Sequence, residues 1–356
     1  MPIEKRYRYD ISGVIGSGCF INVVTGARSY GKTYGWKKRC IKNFMERGET
    51  WGYLRTFDQE IKDLLADGPD AFFSDITRNE EFPGYRFRTQ GRMMQCGKVV
   101  GKDKKGEEIV RWKVMGQLLA LTKAQSYKGK TVANMTWIVF DEFIRETRIP
   151  PYPPNCVRQL FSLWETIDRR ENRTRIVMLA NAADVVNPYF VAWGIVPPPV
   201  GGHCRVPLGD AFIYVENCWS KEFEEYADDS AIGRYTKGTD YAAYAQMNQF
   251  ANQSGLFVAS KPKRCRCQYN IVWGEQVFGV WCDLDRLGML WVGGAGAGAE
   301  TMALMRVDAR PDVSVIARSD PYLKGLVNRG RRGLIEYESD RVRERFLQVL
   351  ELCGYH

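Results

Sequence analysis

Residues 26–33 read Gly-Ala-Arg-Ser-Tyr-Gly-Lys-Thr and decide the fold of the first part of the chain. They follow an apolar, β-branched stretch at residues 20–24 and precede residues 32–45, which have the length and composition of a helix. Two glycines five positions apart, followed by Lys32 and Thr33, between a strand and a helix, are the pattern of a phosphate-binding loop. The sequence therefore predicts a site for ATP and Mg²⁺.

The chemistry of such a loop follows from its geometry. Backbone N–H groups and a helix N-terminus surround the phosphates, Lys32 reaches the terminal phosphates, and the Thr33 hydroxyl binds Mg²⁺. The residues predicted to bind the nucleotide here are Gly26, Ala27, Arg28, Ser29, Tyr30, Gly31, Lys32 and Thr33.

A hydrophobic run at residues 137–140 ends in Asp141 and Glu142. A buried strand would deliver Asp141 to the metal, through water, and Glu142 would act as general base on the attacking water. Alone this is a weak signal, because many strands end in a solvated acidic turn. With the loop upstream, the adjacent glutamate favours hydrolysis over phosphoryl transfer by a small-molecule kinase.

Two further polar features lie near the next apolar run, at residues 176–180. Asn181 follows it and is either a turn residue or a contact to the γ-phosphate and its water. Arginines 169, 170, 173 and 175 precede it, and form either a solvated helix end or an arginine finger supplied to a neighbouring subunit.

Strands alternating with helices over about 200 residues predict an α/β domain with a mainly parallel sheet. The break at Pro197–Gly202 suggests a division into a motor domain at 1–200, a linker region at 201–237 and a C-terminal domain at 238–356. Short β runs followed by a helix near residues 340–352 predict that the C-terminal domain is a smaller α+β unit.

The chain of 356 residues carries a formal net charge of +9, and the excess lies within residues 1–200. This suggests a polyanionic partner. Apolar runs are too short to span a bilayer, so we expect no membrane partner. The ten cysteines and two histidines show no metal-ligand spacing, which argues against a zinc site and Ser–His catalysis.

Residues 99–110 have two apolar ends around a charged, Gly-containing tip, which is the pattern of a β-hairpin. The tip carries Lys102, Lys104 and Lys105. Such a tip is either a solvated turn or a contact to DNA.

In these motifs the sequence resembles the DNA-packaging motor ATPases of the small, protein-primed, short-tailed bacteriophages of the phi-twenty-nine-like group. The resemblance rests on the loop at 26–33, IVFDEFIRE at 138–146, AN at 180–181 with VVNPYF at 185–190, GTDY at 238–241 and NQF at 248–250. It covers most of the chain and fades from about Arg264.

The resemblance implies a P-loop ATPase ring of five subunits at the portal vertex of the prohead, which drives double-stranded DNA inward in the host cell cytoplasm. It implies a C-terminal domain similar to an RNase H-type nuclease without activity. A packaging RNA acts as a scaffold in the best-known member, and nothing in this sequence indicates that this protein uses one.

By alignment with that family, Arg169 is the trans-acting finger, Lys128 is a second basic residue that enters the neighbour's site, and Arg55 is a basic residue at the lid that binds the nucleotide. The segment at 169–173 is shuffled relative to the family pattern, which leaves Arg170 as an alternative finger.

Two other functions remain open from the sequence. One is a terminase-like protein with a working nuclease, because Asp283 and Asp285 end a predicted hairpin as metal-binding acids do in RNase H folds. The other is a nucleotide-switched DNA-binding or scaffold protein that binds ATP and barely hydrolyses it.

Overall fold

The computed structural model of the chain describes residues 9–127, 129, 133–145, 152–181, 187–237, 257–273, 276–304, 313–316 and 320–354. The chain divides into two units. The first comprises Met1–Asp184 and Pro197–Phe250, and the second comprises Val185–Val196 and Ala251–His356. The predicted motifs at 238–241 and 248–250 lie outside the described residues.

A nine-stranded mixed sheet forms the centre of the first unit. Its strands are β1 (Ile21–Gly26), β2 (Thr50–Arg55), β3 (Tyr85–Gln90), β4 (Met93–Lys102), β5 (Glu108–Ala120), β6 (Met135–Asp141), β7 (Arg175–Ala180), β8 (His203–Leu208) and β9 (Ala211–Cys218). They lie in the order β3-β4-β5-β2-β6-β7-β1-β9-β8. The strands from β5 to β9 in this order are parallel, and antiparallel pairs flank them. The prediction of an α/β fold with a mainly parallel sheet is confirmed.

Helices lie between these strands along the chain. In the first unit they are α1 (Ser12–Gly16), α2 (Lys32–Arg47), α3 (Asp58–Ala66), α4 (Ser74–Arg78), α5 (Cys156–Asp168), α7 (Lys221–Asp229) and α8 (Ala231–Thr236), and α6 (Pro188–Trp193) belongs to the second unit. Short 3₁₀ helices occupy Ala71–Phe73 and Leu121–Tyr127.

The central strands are buried on both faces, as their continuous apolar sequences predict. On one face Trp137 of β6 packs against Trp36 of α2, with ring centroids 4.5 Å apart. On the other face Ile138 and Phe140 are fully buried. Each large side chain buried in this way contributes roughly 1.5–3 kcal/mol. This two-sided core fixes the ends of β1, β6 and β7 relative to one another.

The sheet continues beyond the predicted boundary at residue 200. β8 and β9 form an antiparallel pair, and β9 adds to β1 in parallel from Ile213 to Cys218. Residues 203–218 therefore belong to the sheet rather than to a linker. The Pro-rich stretch before them returns the chain from α6 of the second unit to the first unit, and its residue Pro198 accepts a hydrogen bond from the Asn217 side chain at 3.1 Å.

The second unit is built on a six-stranded mixed sheet. Its strands are β10 (Cys265–Trp273), β11 (Gln276–Asp283), β12 (Leu290–Gly294), β13 (Thr301–Ala303), β14 (Ser314–Val315) and β15 (Ile335–Tyr337), in the order β14-β13-β10-β11-β12-β15. β10, β11 and β12 pair antiparallel, and the other three pairings in the sheet are parallel. Helices α9 (Pro321–Arg331) and α10 (Asp340–Leu352) complete it. Within the described residues, no helix has the length and apolar character needed to cross a membrane.

Candidate functional site

The predicted phosphate loop connects β1 to α2. Gly31 is the N-cap of α2 and has φ +86°, a left-handed conformation that glycine adopts without strain. Gly26 faces Cys218 of β9 so closely that a Cβ atom on Gly26 would lie 2.2 Å from the cysteine Sγ. Both glycines are therefore required by the backbone path of this loop.

The rest of the loop is anchored by one aromatic side chain. Tyr30 is buried, its ring lies 4.8 Å from that of Phe223 in α7, and its carbonyl accepts the Tyr9 N–H at 2.9 Å. Arg28 and Ser29, in contrast, are exposed. Tyr30 therefore contributes its backbone to the loop, while its side chain fixes the loop to the protein.

Lys32 lies beneath the loop and is buried. Its Nζ donates hydrogen bonds of 2.8 Å to the carbonyls of Gly26 and Ala27. In the part of the chain that the structure describes, it forms no ion pair. Burial lowers the pKa of Lys32, which the nearby Asp141 and Cys218 only partly offset. A buried cation bonded only to carbonyl oxygens is the arrangement expected of a residue that receives a phosphate anion.

Asp141, at the end of β6, meets the loop. The Thr33 hydroxyl lies 3.0 Å from both of its carboxylate oxygens, and the Tyr53 hydroxyl donates to Oδ2 at 2.7 Å. A carboxylate only accepts hydrogen bonds, so the Thr33 proton points to Asp141 and the lone pairs of its oxygen are free for a cation. These residues fit a hard divalent ion such as Mg²⁺, which takes oxygen ligands.

Glu142 follows Asp141 in a left-handed conformation with φ +52°. Its backbone N–H donates to Asp141 Oδ1 at 3.1 Å, and its half-exposed carboxylate forms an ion pair with Arg55 at the end of β2. Arg55 Nη1 also lies 3.9 Å from Asp141. The structure thus brings the predicted base, the predicted metal residue and the predicted lid arginine to one edge of the sheet.

Charge and burial together define the electrostatics of this edge. Burial alone would lower the pKa of Arg55, but the neighbouring Tyr53, Glu142 and Asp141 raise it above its ordinary value. Burial, together with the negative charge of Asp141, raises the pKa of Tyr53 well above its ordinary range. Arg55 is therefore charged and Tyr53 neutral at physiological pH.

Asn181 and Arg169 lie at opposite edges of the sheet. Asn181 directly follows β7, which lies between β1 and β6, so it shares the edge of Gly26 and Asp141. Arg169 precedes β7 and caps the end of α5 with φ +52°. Because these strands are parallel, Arg169 lies at the edge away from the phosphate loop of its own chain.

The loop that carries Arg169 is shaped by Asp168. Its buried carboxylate accepts the backbone N–H groups of Asn172, Arg173 and Thr174 at 3.0, 2.9 and 2.7 Å. Burial would raise the pKa of Asp168, but these three donors hold it below its ordinary value. Arg169 is exposed and, among the described residues, forms no ion pair, whereas Arg170 bonds Glu165 at 3.0 Å.

The remaining predicted residues are not part of this edge. Lys128 lies outside the described residues. Lys102, Lys104 and Lys105 are exposed at the tip of the β4–β5 hairpin, and the hairpin predicted there is confirmed.

Sequence reasoning missed Tyr53 and Cys218. Tyr53 lies two residues before Arg55 on a strand next to β6, and this proximity depends on the strand order, which the sequence does not state. Cys218 is buried, its thiol pKa is raised to about 12 by burial, and it limits the space at Gly26. A glycine at the first loop position was the one available signal that something packs closely against it.

Residues 3–345 match the sequence profile of the family described as podovirus DNA encapsidation protein (Gp16). The chain belongs to this family. The match extends over both units, so the phosphate loop, Asp141 and the six-stranded sheet are all parts of one family architecture.

Individual relatives agree with this membership. The DNA packaging protein of Bacillus phage B103 is 31% identical over 272 residues, which are 75% of each chain. That of Bacillus phage phi29 is 28% identical over 345 residues, which are 96% of each chain. The bacteriophage Phi-29 viral genome packaging motor assembly is a similar solved structure, with a TM-score of 0.62, 25% identity, and coverage of 98% of this chain and 99% of that chain.

Proposed function

We propose that this chain is an ATPase that drives double-stranded viral DNA into a prohead, acting as a homo-oligomeric ring that hydrolyses ATP at subunit interfaces. The observation that carries the proposal is the contact of Thr33 with Asp141 beside a buried Lys32, in a member of the DNA encapsidation family. The relatives named above are DNA packaging proteins, which supports DNA as the translocated substrate.

Each residue of this edge has a distinct part in hydrolysis. Lys32 and the loop N–H groups bind the phosphates, and Thr33 with Asp141 hold Mg²⁺. When bound, the metal neutralises charge on the phosphate oxygens. Glu142 accepts a proton from the attacking water, and Asn181 orients that water at the end of β7. Tyr53 fixes the second oxygen of Asp141, so the carboxylate keeps one orientation.

The position of Arg169 supports the proposed ring. An exposed arginine at the edge away from its own phosphate loop cannot serve that loop, but a neighbouring copy can bring its own loop to it. Arginine fingers supplied in this way accelerate hydrolysis by roughly 10³–10⁵. Lys128 is proposed to enter the neighbour's site as well. Five subunits, a portal at the prohead vertex and a location in the host cell cytoplasm complete the proposal.

For the second unit we propose an RNase H-type domain without nuclease activity. Five neighbouring strands of its sheet support this proposal. β10, β11 and β12 are antiparallel to one another, and β13 and then β14 lie beside β10 in parallel, which is the strand order of RNase H. The predicted acid Asp283 is bonded by Arg286 Nε at 2.7 Å, and the same guanidinium binds Glu336 through both of its terminal nitrogens. Arg286 therefore engages both carboxylates in ion pairs.

The nuclease alternative has little support in these residues. Asp285 points to Arg264 at 2.9 Å rather than toward Asp283. Among the described residues, no group of three or more acids, histidines or cysteines could hold a metal ion. Two-metal nucleases need several converging carboxylates. Metal-dependent cleavage of plasmid DNA by the purified protein, lost in Asp283→Ala, would overturn this assignment.

One experiment tests the proposed function. ATP turnover is measured with and without double-stranded DNA for the wild type, for Glu142→Gln and for Glu46→Gln, an identical change at an exposed position of α2. We expect DNA to stimulate the wild type and the control, and Glu142→Gln to lose a factor of roughly 10²–10⁴. Intact turnover in Glu142→Gln, or a wild type that binds ATP without hydrolysing it, would contradict the proposal. The second result would favour a nucleotide-switched scaffold.

A further inference from the structure

β4 and β5 extend beyond the rest of the nine-stranded sheet as a two-stranded ribbon. β4 pairs with β3 as far as Lys98, and β5 pairs with β2 from Gly116 onward. We call residues 98–113, which include the end of this ribbon, the arm. Four strand residues beyond Lys98, at about 3.3 Å each, carry its tip roughly 13 Å past β3.

The arm is strongly basic. Its six cations are all exposed, and none forms an ion pair within the part of the chain that the structure describes: Lys98, Lys102, Lys104, Lys105, Arg111 and Lys113. Its three acids, Asp103, Glu107 and Glu108, offset half of this charge, so the arm keeps a net charge of +3. Asp103 Oδ1 accepts the backbone N–H groups of Lys105 and Glu107 at 2.8 and 2.9 Å, and Glu108 pairs with Arg86 of β3. The arm therefore presents uncompensated positive charge.

Two features destabilise the end of the arm in the isolated protein. Lys98 and Arg111 lie directly opposite each other in the ladder, and like charges in this position are destabilising. Val100 and Ile109 are 51% and 47% exposed, so the end of the ribbon has no apolar core of its own. A two-stranded ribbon alone in water is marginally stable. A polyanion lying against the arm would relieve the repulsion between these like charges.

The shape of the arm favours double-stranded DNA over double-stranded RNA as its polyanionic partner. The major groove of B-form DNA is about 12 Å wide and 8.5 Å deep, and it admits a two-stranded β-ribbon. The roughly 13 Å reach of the arm is enough to enter it. The major groove of A-form RNA is deep and too narrow for protein side chains to read. We propose that the arm enters the major groove of double-stranded DNA, where the lysines of its tip and the cations behind it contact the phosphates.

This inference rests on the proposed function, because it assigns a contact to the DNA that the motor moves. In this placement Lys102, Lys104 and Lys105 lie at the leading end, while Lys98, Arg111 and Lys113 flank the groove. Such contacts are independent of base sequence, as a protein that moves along a whole genome requires.

The test measures binding of the full-length protein to a 5′-labelled DNA duplex, and to an RNA duplex of the same sequence, over a range of salt concentrations. One variant combines Lys102→Ala, Lys104→Ala and Lys105→Ala. The matched control combines Lys42→Ala, Lys62→Ala and Lys221→Ala, three exposed lysines on helices of the same unit that pair within their own helices. Both variants lose the same charge.

We expect the arm variant to bind the DNA duplex at least about tenfold more weakly at low salt, with a salt slope lower by about 3, because each phosphate contact contributes about 0.9. The control should bind as the wild type does, and RNA binding should not depend on the arm. Equal DNA binding by arm variant and control would overturn the proposal. An equal loss for RNA would overturn the placement in the groove.

The same samples separate this inference from the proposed function. ATP turnover by the wild type, measured without nucleic acid, tests hydrolysis independently of the arm. If the wild type hydrolyses ATP and binds DNA while the arm variant binds equally well, only the arm assignment fails. If the wild type shows no ATP hydrolysis, the proposed function fails, and the binding comparison still tests the arm.

Discussion

Arg55 and Glu142 form an ion pair at the ends of the neighbouring strands β2 and β6. The Arg55 side chain is only 13% exposed and also approaches Asp141 and Glu60, at 3.9 and 3.7 Å. Glu142 has a left-handed backbone that is unfavourable for residues other than glycine. One guanidinium is thus shared among three carboxylates, and it fixes the side chain of the proposed general base.

This pair predicts that Arg55→Gln lowers kcat for ATP hydrolysis by at least about tenfold, a part of the roughly 10²–10⁴ that a positioned base supplies. KM for ATP should change little, because the ion pairs of Arg55 are with the acids rather than with the phosphate loop. Steady-state kinetics check this, with Arg47→Gln on the exposed end of α2 as control. A change in KM alone would show that Arg55 binds nucleotide instead.

Lys32 predicts a proton linkage. Its pKa is lowered by burial in the free protein, and phosphate anions beside it would raise the pKa again. Between the lowered pKa and the ordinary value of 10.5, the free protein binds fewer protons at Lys32 than the complex does. Nucleotide binding should therefore take up a proton in this range, and affinity should fall as pH rises through it.

Calorimetric titration with ATP in buffers of different ionisation enthalpy measures this uptake. Lys32→Arg provides the comparison, because arginine keeps its charge throughout the range and its binding should show no proton uptake from this position. Proton release on binding to the wild type, or identical uptake in both proteins, would contradict the assignment of Lys32 as the phosphate-binding cation.

Local motifs in the sequence were sufficient to predict the phosphate loop and the strand that delivers Asp141. Both depend on short-range patterns, namely a glycine-bearing turn before a helix and an apolar run before an acid. The contact of Tyr53 with Asp141 joins residues 88 positions apart and depends on β2 lying beside β6. Strand order is set by packing of the whole sheet, so no local pattern reports it.

The predicted boundary near residue 200 also shows that a local sequence pattern does not report how distant elements pack. A run of prolines and glycines marks a break in regular structure, but it does not state whether the chain leaves the domain. Here the chain re-enters the first unit at Pro197, and β9 completes the parallel part of the sheet beside β1. The available signal was the alternation of polar and apolar residue types from His203 to Leu208, which is typical of a half-buried strand and matches the alternating exposure of β8.

The tight contact at Gly26 predicts a steric effect of Gly26→Ala. A Cβ atom there would lie 2.2 Å from Cys218 Sγ and 3.2 Å from the Cys218 carbonyl. Overpacking of this kind lowers the free energy of unfolding by about 1–3 kcal/mol. Gly16→Ala is the matched control, because nothing lies within 4 Å of a Cβ atom at Gly16.

Denaturant unfolding of Gly26→Ala, of Cys218→Ala and of the variant that combines them measures the coupling between the two positions. We expect the double variant to recover part of the loss, since removing Sγ leaves the milder contacts with the Cys218 carbonyl at 3.2 Å and Lys32 Cδ at 3.4 Å. Additive effects of the two substitutions would show that Gly26→Ala acts through the backbone rather than through the thiol.

The exposed loop at the end of α5 predicts which arginine acts between subunits. Arg170 bonds Glu165 of its own helix, whereas Arg169 forms no ion pair with any residue that the structure describes. If the chain forms the proposed ring, Arg169→Ala should therefore lower its ATP turnover by roughly 10³ or more. Arg170→Ala, the matched control, should leave turnover close to the wild type. The opposite pattern would identify Arg170 as the finger.

Mixing subunits tests whether Arg169 acts in trans. Arg169→Ala subunits retain Glu142, and Glu142→Gln subunits retain Arg169, so an interface between one of each kind contains one complete site. Turnover of the mixture should exceed that of either variant alone, because no homogeneous ring of either variant has a complete site. Co-assembly is verified by capture of differently tagged subunits. Verified mixed rings without recovery would contradict the assignment of Arg169 as a finger that acts in trans.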